Sequence, residues 1–195
     1  MSGITMGKVS IKDIAAGKLP EILRSKLGQR LIECAKTGDV ETVRKLLKTQ
    51  GIDVNAADTN GNTALICAAR EGKVEVVKEL LGNEKVNVNA ADKDGYTALV
   101  FAARNGKVEV VKELLGNEKV NVNAADTNGN TALICAAANG EVEVVRELLK
   151  NEKVEVNAAD TNGNTALMLA AEIGEVKVVK LIMKKLGRKD IEITS

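Results

Sequence analysis

Apolar and polar positions along this chain follow a pattern that restarts every 34 residues. Within one period, Leu65, Ala68 and Ala69 fall at i, i+3 and i+4, which predicts a short helix with one buried side. Val76, Val77, Leu80 and Leu81 repeat that spacing and predict a second helix from about Val74 to Leu81. Glu75 and Lys78 lie three apart on its polar side and can pair. Thr63 precedes the first helix as an N-cap candidate. Gly72 follows it, where a chain leaving a helix needs the left-handed region. Glycine recurs there at Gly38, Gly106, Gly140 and Gly174, as a backbone requirement predicts. Asp58-Thr59-Asn60-Gly61 is turn chemistry, and Val86-Asn87-Val88-Asn89 reads as an extended lead into the next turn.

The unit is therefore turn, short helix, short helix, loop. Its sequence barely changes between periods. Asn-Ala-Ala-Asp-Thr-Asn-Gly-Asn-Thr-Ala-Leu starts at Asn55, Asn123 and Asn157, an altered version starts at Asn89, and Gly72 to Asp92 recurs unchanged as Gly106 to Asp126. Helices of about 8–10 residues do not persist alone in water, so stacking must hold them. A fixed period of this size predicts an all-α solenoid of helix-turn-helix units with turn tips. The pattern divides the chain into an N-terminal extension (1–25), an N-terminal capping unit (26–57), three inner units (58–91, 92–125 and 126–159) and a C-terminal capping unit with a tail (160–195). In the extension, Ser10-Ile11-Lys12-Asp13 can open a short helix. Pro20 suits the first position of a helix from Glu21, and Ile22, Leu23 and Leu27 would extend its apolar side.

Composition narrows the chemistry. The 28 basic and 27 acidic residues leave no global field to attract nucleic acid or an anionic membrane. No apolar run is long enough to span a bilayer, and the N-terminus lacks a secretory pattern, which sets the expected location as cytoplasmic. Histidine is absent, which removes the commonest general base and metal ligand. Cys34, Cys67 and Cys135 lie one or more units apart, beyond disulfide reach, and isolated thiols fit a reducing compartment. No Ser–His or Cys–His pair, phosphate loop or zinc spacing occurs, and carboxylates such as Glu75 and Glu79 read as helix surface. The expectation is a non-enzyme without cofactor or metal. The basic residues Lys184, Lys185, Arg188 and Lys189 suit a helix C-terminus.

Asp58, Gly61, Thr63, Leu65, Ala68, Ala69, Gly72, Val76, Val77, Leu80 and Leu81 stand in the order of the ankyrin repeat, and the match recurs from Asp92, Asp126 and Asp160. The chain resembles that family from roughly Lys26 to Leu186. Leu27 to Ala35 is similar to its N-terminal capping unit, with polar Gln29, Arg30 and Glu33 outward. There are three departures, one of them a loop that is one residue longer than the family's norm and costs little entropy. The family's Thr-Pro-Leu-His motif has Ala for Pro at Ala64, Ala98, Ala132 and Ala166. It has Ile66, Val100, Ile134 and Met168 for His, which loses the Thr–His hydrogen bonds between units.

The resemblance implies binding of a protein or peptide partner by a rigid concave surface of turn tips and first helices, by a monomer, with no role for nucleic acid or membrane. Carried over by position, the candidate contact residues are Arg70, Lys93, Asp94, Tyr96, Arg104, Asn105, Asn130, Ala138 and Asn139. The unit from 92 stands apart, because it alone has Lys93, Asp94, Tyr96 and Phe101. Tyr and Arg are enriched where binding energy concentrates, so Tyr96 between Arg70 and Arg104 marks the expected centre, with Phe101 as core filler. The row Ile66, Val100, Ile134 and Met168 is expected to be core. The series Lys36, Arg70, Arg104, Ala138, Glu172 runs from basic to acidic and would orient a partner of opposite polarity. The alternative to a natural interaction module is an engineered consensus-like ankyrin scaffold without a natural ligand.

Overall fold

A computed structural model describes residues 20–187. The readings of Ser10–Asp13 and of Arg188 and Lys189 lie outside it. Among the described residues the secondary structure is helical, with isolated bridges such as Ala57 to Thr63 closing each turn. The helices form five pairs: α1 (Glu21–Thr37) and α2 (Val40–Leu47), α3 (Ala64–Arg70) and α4 (Val74–Leu81), α5 (Ala98–Arg104) and α6 (Val108–Leu115), α7 (Ala132–Ala138) and α8 (Val142–Lys150), α9 (Ala166–Glu172) and α10 (Val176–Lys185). First helices pack on first helices and second on second, giving two layers with one core between them.

Local chemistry accounts for each boundary. Thr63, Thr97, Thr131 and Thr165 accept the N–H of the residue three positions on, as N-caps do. At the far end Gly72 takes φ 72°, Gly72 N–H donates to Ala69 O (3.2 Å) and Lys73 N–H to Ala68 O (2.9 Å). That pair of bonds is the Schellman arrangement, and it needs a residue at ease in the left-handed region. Ala68, Ala69, Ala102, Ala103, Ala136 and Ala137 are buried between layers, where small side chains let helix axes approach to about 8–10 Å.

The units are tied by polar bonds as well as by burial. Lys93 N–H donates to Asn60 O (3.0 Å), Thr127 N–H to Asp94 O (2.9 Å) and Thr161 N–H to Asn128 O (2.8 Å), so each tip hangs on the one before it. At the loops, Asn89 donates its amide to Lys119 O (2.7 Å) and accepts from Asn121 N–H (2.7 Å). Asn55 and Asn123 make the equivalent two bonds to the units that follow them.

Two expectations need correction. Ile66, Val100 and Ile134 are each 1% exposed and belong to the core, but Met168 is 57% exposed. The following unit covers the first three, and no described unit lies beyond α9. At the other end α1 is continuous from Glu21, with Pro20 at its N-cap rather than its first turn. Ile22 and Leu23 are exposed, and only Leu27 packs against the core. The start of α3 aligns with Arg30, so among the described residues no first helix of the next unit lies opposite the first two turns of α1.

Candidate interaction surface

Each turn tip is organised by one aspartate. Asp58 Oδ1 accepts the N–H groups of Asn60 and Asn62, each at 2.9 Å, and the Asn62 amide donates to both carboxylate oxygens (3.1 and 3.2 Å). Burial pushes the Asp58 carboxyl up, but the bonds from Asn62 and Asn60 and the charge of Lys36 together hold it below its ordinary value. Asp160 is likewise held down, chiefly by the N–H of Asn164. Asn62 is itself buried, and its Oδ1 has no hydrogen-bond partner.

In the third unit Tyr96 takes the place of Asn62. The backbone bond remains, with Tyr96 N–H donating to Asp92 Oδ1 at 2.8 Å, while the side chain is freed from the turn. Its ring packs on Phe101 with centroids 4.9 Å apart and planes tilted by 35°. Arg104 lies over the Tyr96 ring at 5.6 Å and donates to the phenol oxygen (3.2 Å). Arg70, from the preceding unit, lies over the Phe101 ring at 5.3 Å. The result is a cation–aromatic–aromatic–cation stack that spans two units, each cation contact contributing about 0.5–1 kcal/mol at an exposed position. Burial pushes the Tyr96 phenol above its ordinary value and the Asp126 carboxylate adds to this, while Arg104 pulls it down.

Phe101 therefore belongs to this surface as much as to the core. Its counterparts Cys67 and Cys135 are buried, and a slot sized for a thiol cannot take a phenyl ring, so the ring is only partly covered. The sequence signal for it was the exchange of small for large at a core position beside the sole tyrosine.

The other candidate residues divide. Lys93 and Asp94 are exposed at the tip and lend their backbone to neighbouring tips. Asn105 is exposed but donates to Arg70 O (3.3 Å), joining units two and three. Asn130 is engaged within its own turn through Asp126, and Asn139 donates to Cys135 O at 2.8 Å at the end of its own helix. Ala138 is half-buried. The structure thus gathers Arg70, Tyr96 and Arg104 in one stack, while the Asn130 and Asn139 amides bond within their own unit. In the charge series, Lys36 lies 3.8 Å from Asp58 and Arg70 lies 3.5 Å from Glu71, so neither cation is without a nearby carboxylate.

Burial pushes the Cys135 thiol up to about 11, with the Asp126 carboxylate adding and Arg104 opposing, so it is not poised as a nucleophile. Among the described residues no group of His, Cys, Asp and Glu is placed to hold a metal ion. No described helix is long and apolar enough to cross a membrane.

A family model for ankyrin repeats in three copies matches residues 31–126 and again 101–195. A Rickettsia felis protein with a provisional name as an ankyrin repeat protein is 42% identical over 50 residues, covering 26% of this chain and 78% of that protein. A second, similarly named protein of the same organism is 47% identical over 45 residues, covering 23% of this chain and 67% of that protein.

Proposed function

The chain belongs to the ankyrin-repeat family, and from that premise we propose that it is a non-catalytic module that holds a protein or peptide partner against its turn tips and first helices. Repeats of this family are in general protein–protein interaction modules. The observation that carries the placement is the stack of Arg70, Phe101, Tyr96 and Arg104, the one place where near-identical units diverge to put aromatic rings on the surface. A preformed stack limits the side-chain entropy lost on binding, and its flanking arginines suit a partner with carboxylates beside an apolar contact. The buried, unpaired thiols of Cys34, Cys67 and Cys135 suit a reducing compartment such as the cytoplasm, where the module would act as a monomer.

The test is a cross-linking capture with the intact chain and with Tyr96→Asn. A partner held by the first and lost by the folded second supports the placement. A partner held equally by both removes the stack from the interface. The identical stretches Gly72–Asp92 and Gly106–Asp126 favour a second reading, an engineered consensus-like scaffold without a natural ligand. Repeated failure to capture any specific partner would favour that reading.

A further inference from the structure

The second helices set a base of one unit against an acid of the next, and the arrangement then stops. Arg44 of α2 reaches Glu79 of α4 at 2.6 Å. Lys78 of α4 reaches Glu113 of α6 at 3.9 Å. Lys112 of α6 and Glu147 of α8 hold the corresponding places, each paired within its own helix. At the next step the base is present and the acid is not. Arg146 of α8 shares with Leu181 of α10 a groove of about 400 Å³, lined also by Leu149, Lys150, Lys184 and Lys185. An adjoining groove of about 270 Å³ continues it past Lys177 and Lys180. The equivalent groove between α2 and α4, about 310 Å³, contains Glu79.

The change lies in α10. Lys177 stands where α4, α6 and α8 have Glu75, Glu109 and Glu143, and Leu181 stands where they have Glu79, Glu113 and Glu147. The helix therefore has lysines at 177, 180, 184 and 185 and no acid. Among the described residues none of these lysines takes part in an ion pair, whereas Arg146 and Lys150 pair only with their own helix. Leu149 is 8% exposed and Leu181 half-buried, so the groove has an apolar floor between cationic banks.

We propose that the groove between α8 and α10 is a second docking surface, whose occupant is an acidic amphipathic helix of a partner protein. Two neighbouring parallel helices offer a slot into which the side-chain ridge of a third can settle. An apolar ridge at i, i+3 and i+4 would rest on Leu149 and Leu181. Flanking carboxylates would meet Arg146, Lys150, Lys177, Lys180 and Lys184, one of them taking the place that Glu79 holds between α2 and α4. A bilayer fits less well, because the floor is recessed and cannot enter lipid. A duplex nucleic acid would use the cations and leave the floor empty. This surface lies on the second-helix layer, so its occupation is independent of the tip stack.

The test uses the full chain and a synthetic helical peptide of about 14 residues, long enough for several turns, with Leu at i, i+3 and i+4 spacing and Glu between. Titration calorimetry should show one site, weakened by added salt. A peptide of equal charge with Gly and Ser for Leu should bind at least about tenfold more weakly. Leu181→Glu restores the acid that Arg146 lacks and should cost at least about tenfold in affinity with no loss of helicity. Lys177→Glu, which also restores a residue used by the other units, serves if Leu181→Glu fails to fold. Absence of binding, equal affinity for both peptides, or affinity unchanged in the variants would overturn the proposal. So would phosphatidylserine vesicles or a DNA duplex binding more tightly than the peptide. Asp190→Asn with Glu192→Gln tests the chain's own last residues, and probe binding that occurs only in that variant would name them as the occupant instead.

Discussion

Tyr96 shows how much one side chain can change at a fixed backbone position. Asn62, Asn130 and Asn164 spend their amides on the aspartate of their own turn, whereas Tyr96 leaves that bond and turns to Phe101 and Arg104. Tyr96→Asn should recover the amide bond as the ring contacts are lost, so thermal unfolding should change by no more than about 1 kcal/mol. A larger loss would mean that the stack holds the unit together rather than presenting a surface. The aspartates make a second prediction. Asp58 and Asp160 are held below their ordinary value, so the stability they contribute is fully present above the unfolded value of about 3.9. It is lost as pH falls through the lower folded-state value. Melting temperature should be flat near neutrality and fall below about pH 4, less steeply in Asp160→Asn. At this scale the sequence was a good guide to identity and a poor guide to engagement. It singled out Arg70, Tyr96 and Arg104 because they break the repeat. It could not show that Asn130 is spent on the Asp126 carboxylate and Asn139 on the Cys135 carbonyl, since that depends on rotamers rather than on spacing.

Helix ends were legible almost to the residue, because caps are local chemistry. Thr63 and Gly72 bracket α3 as their side chain and φ demand, and Val74–Leu81 is the helix that the apolar spacing outlines. Gly106→Val tests one such end. At φ 64° a branched residue is strained, so the array should lose more than about 1 kcal/mol, read by denaturant unfolding. An unchanged midpoint would remove the requirement for positive φ. Less legible were the outermost elements. Ile22 and Leu23 follow the apolar pattern yet stay exposed, because a pattern records which side of a helix could be buried and not whether a neighbour reaches it.

Across the whole molecule the same limit accounts for Met168, which shares its place in the unit with Ile66, Val100 and Ile134 but not their cover. A paired substitution isolates the effect of a neighbour. Gly95 and Gly163 share φ 85°, but a Cβ on Gly95 would sit 2.9 Å from the Asp126 backbone of the next unit, while one on Gly163 meets nothing within 4 Å. Gly163→Ala should cost about 1–2 kcal/mol for the backbone conformation alone. Gly95→Ala should cost about 1–3 kcal/mol more, since two stacked tips must separate. Equal losses in calorimetry would mean that the tips give way freely.

The bonds between tips all run one way: the carbonyl of an earlier tip accepts from the N–H of a later one at Lys93, Thr127 and Thr161. A chain clasped in this sequential fashion, with each outermost described hairpin gripped by a single neighbour, is a zipper that opens from its outer units. Drawn apart in a force spectrometer, it should peel from those units inward in a train of small steps, and yield as a spring does rather than snap.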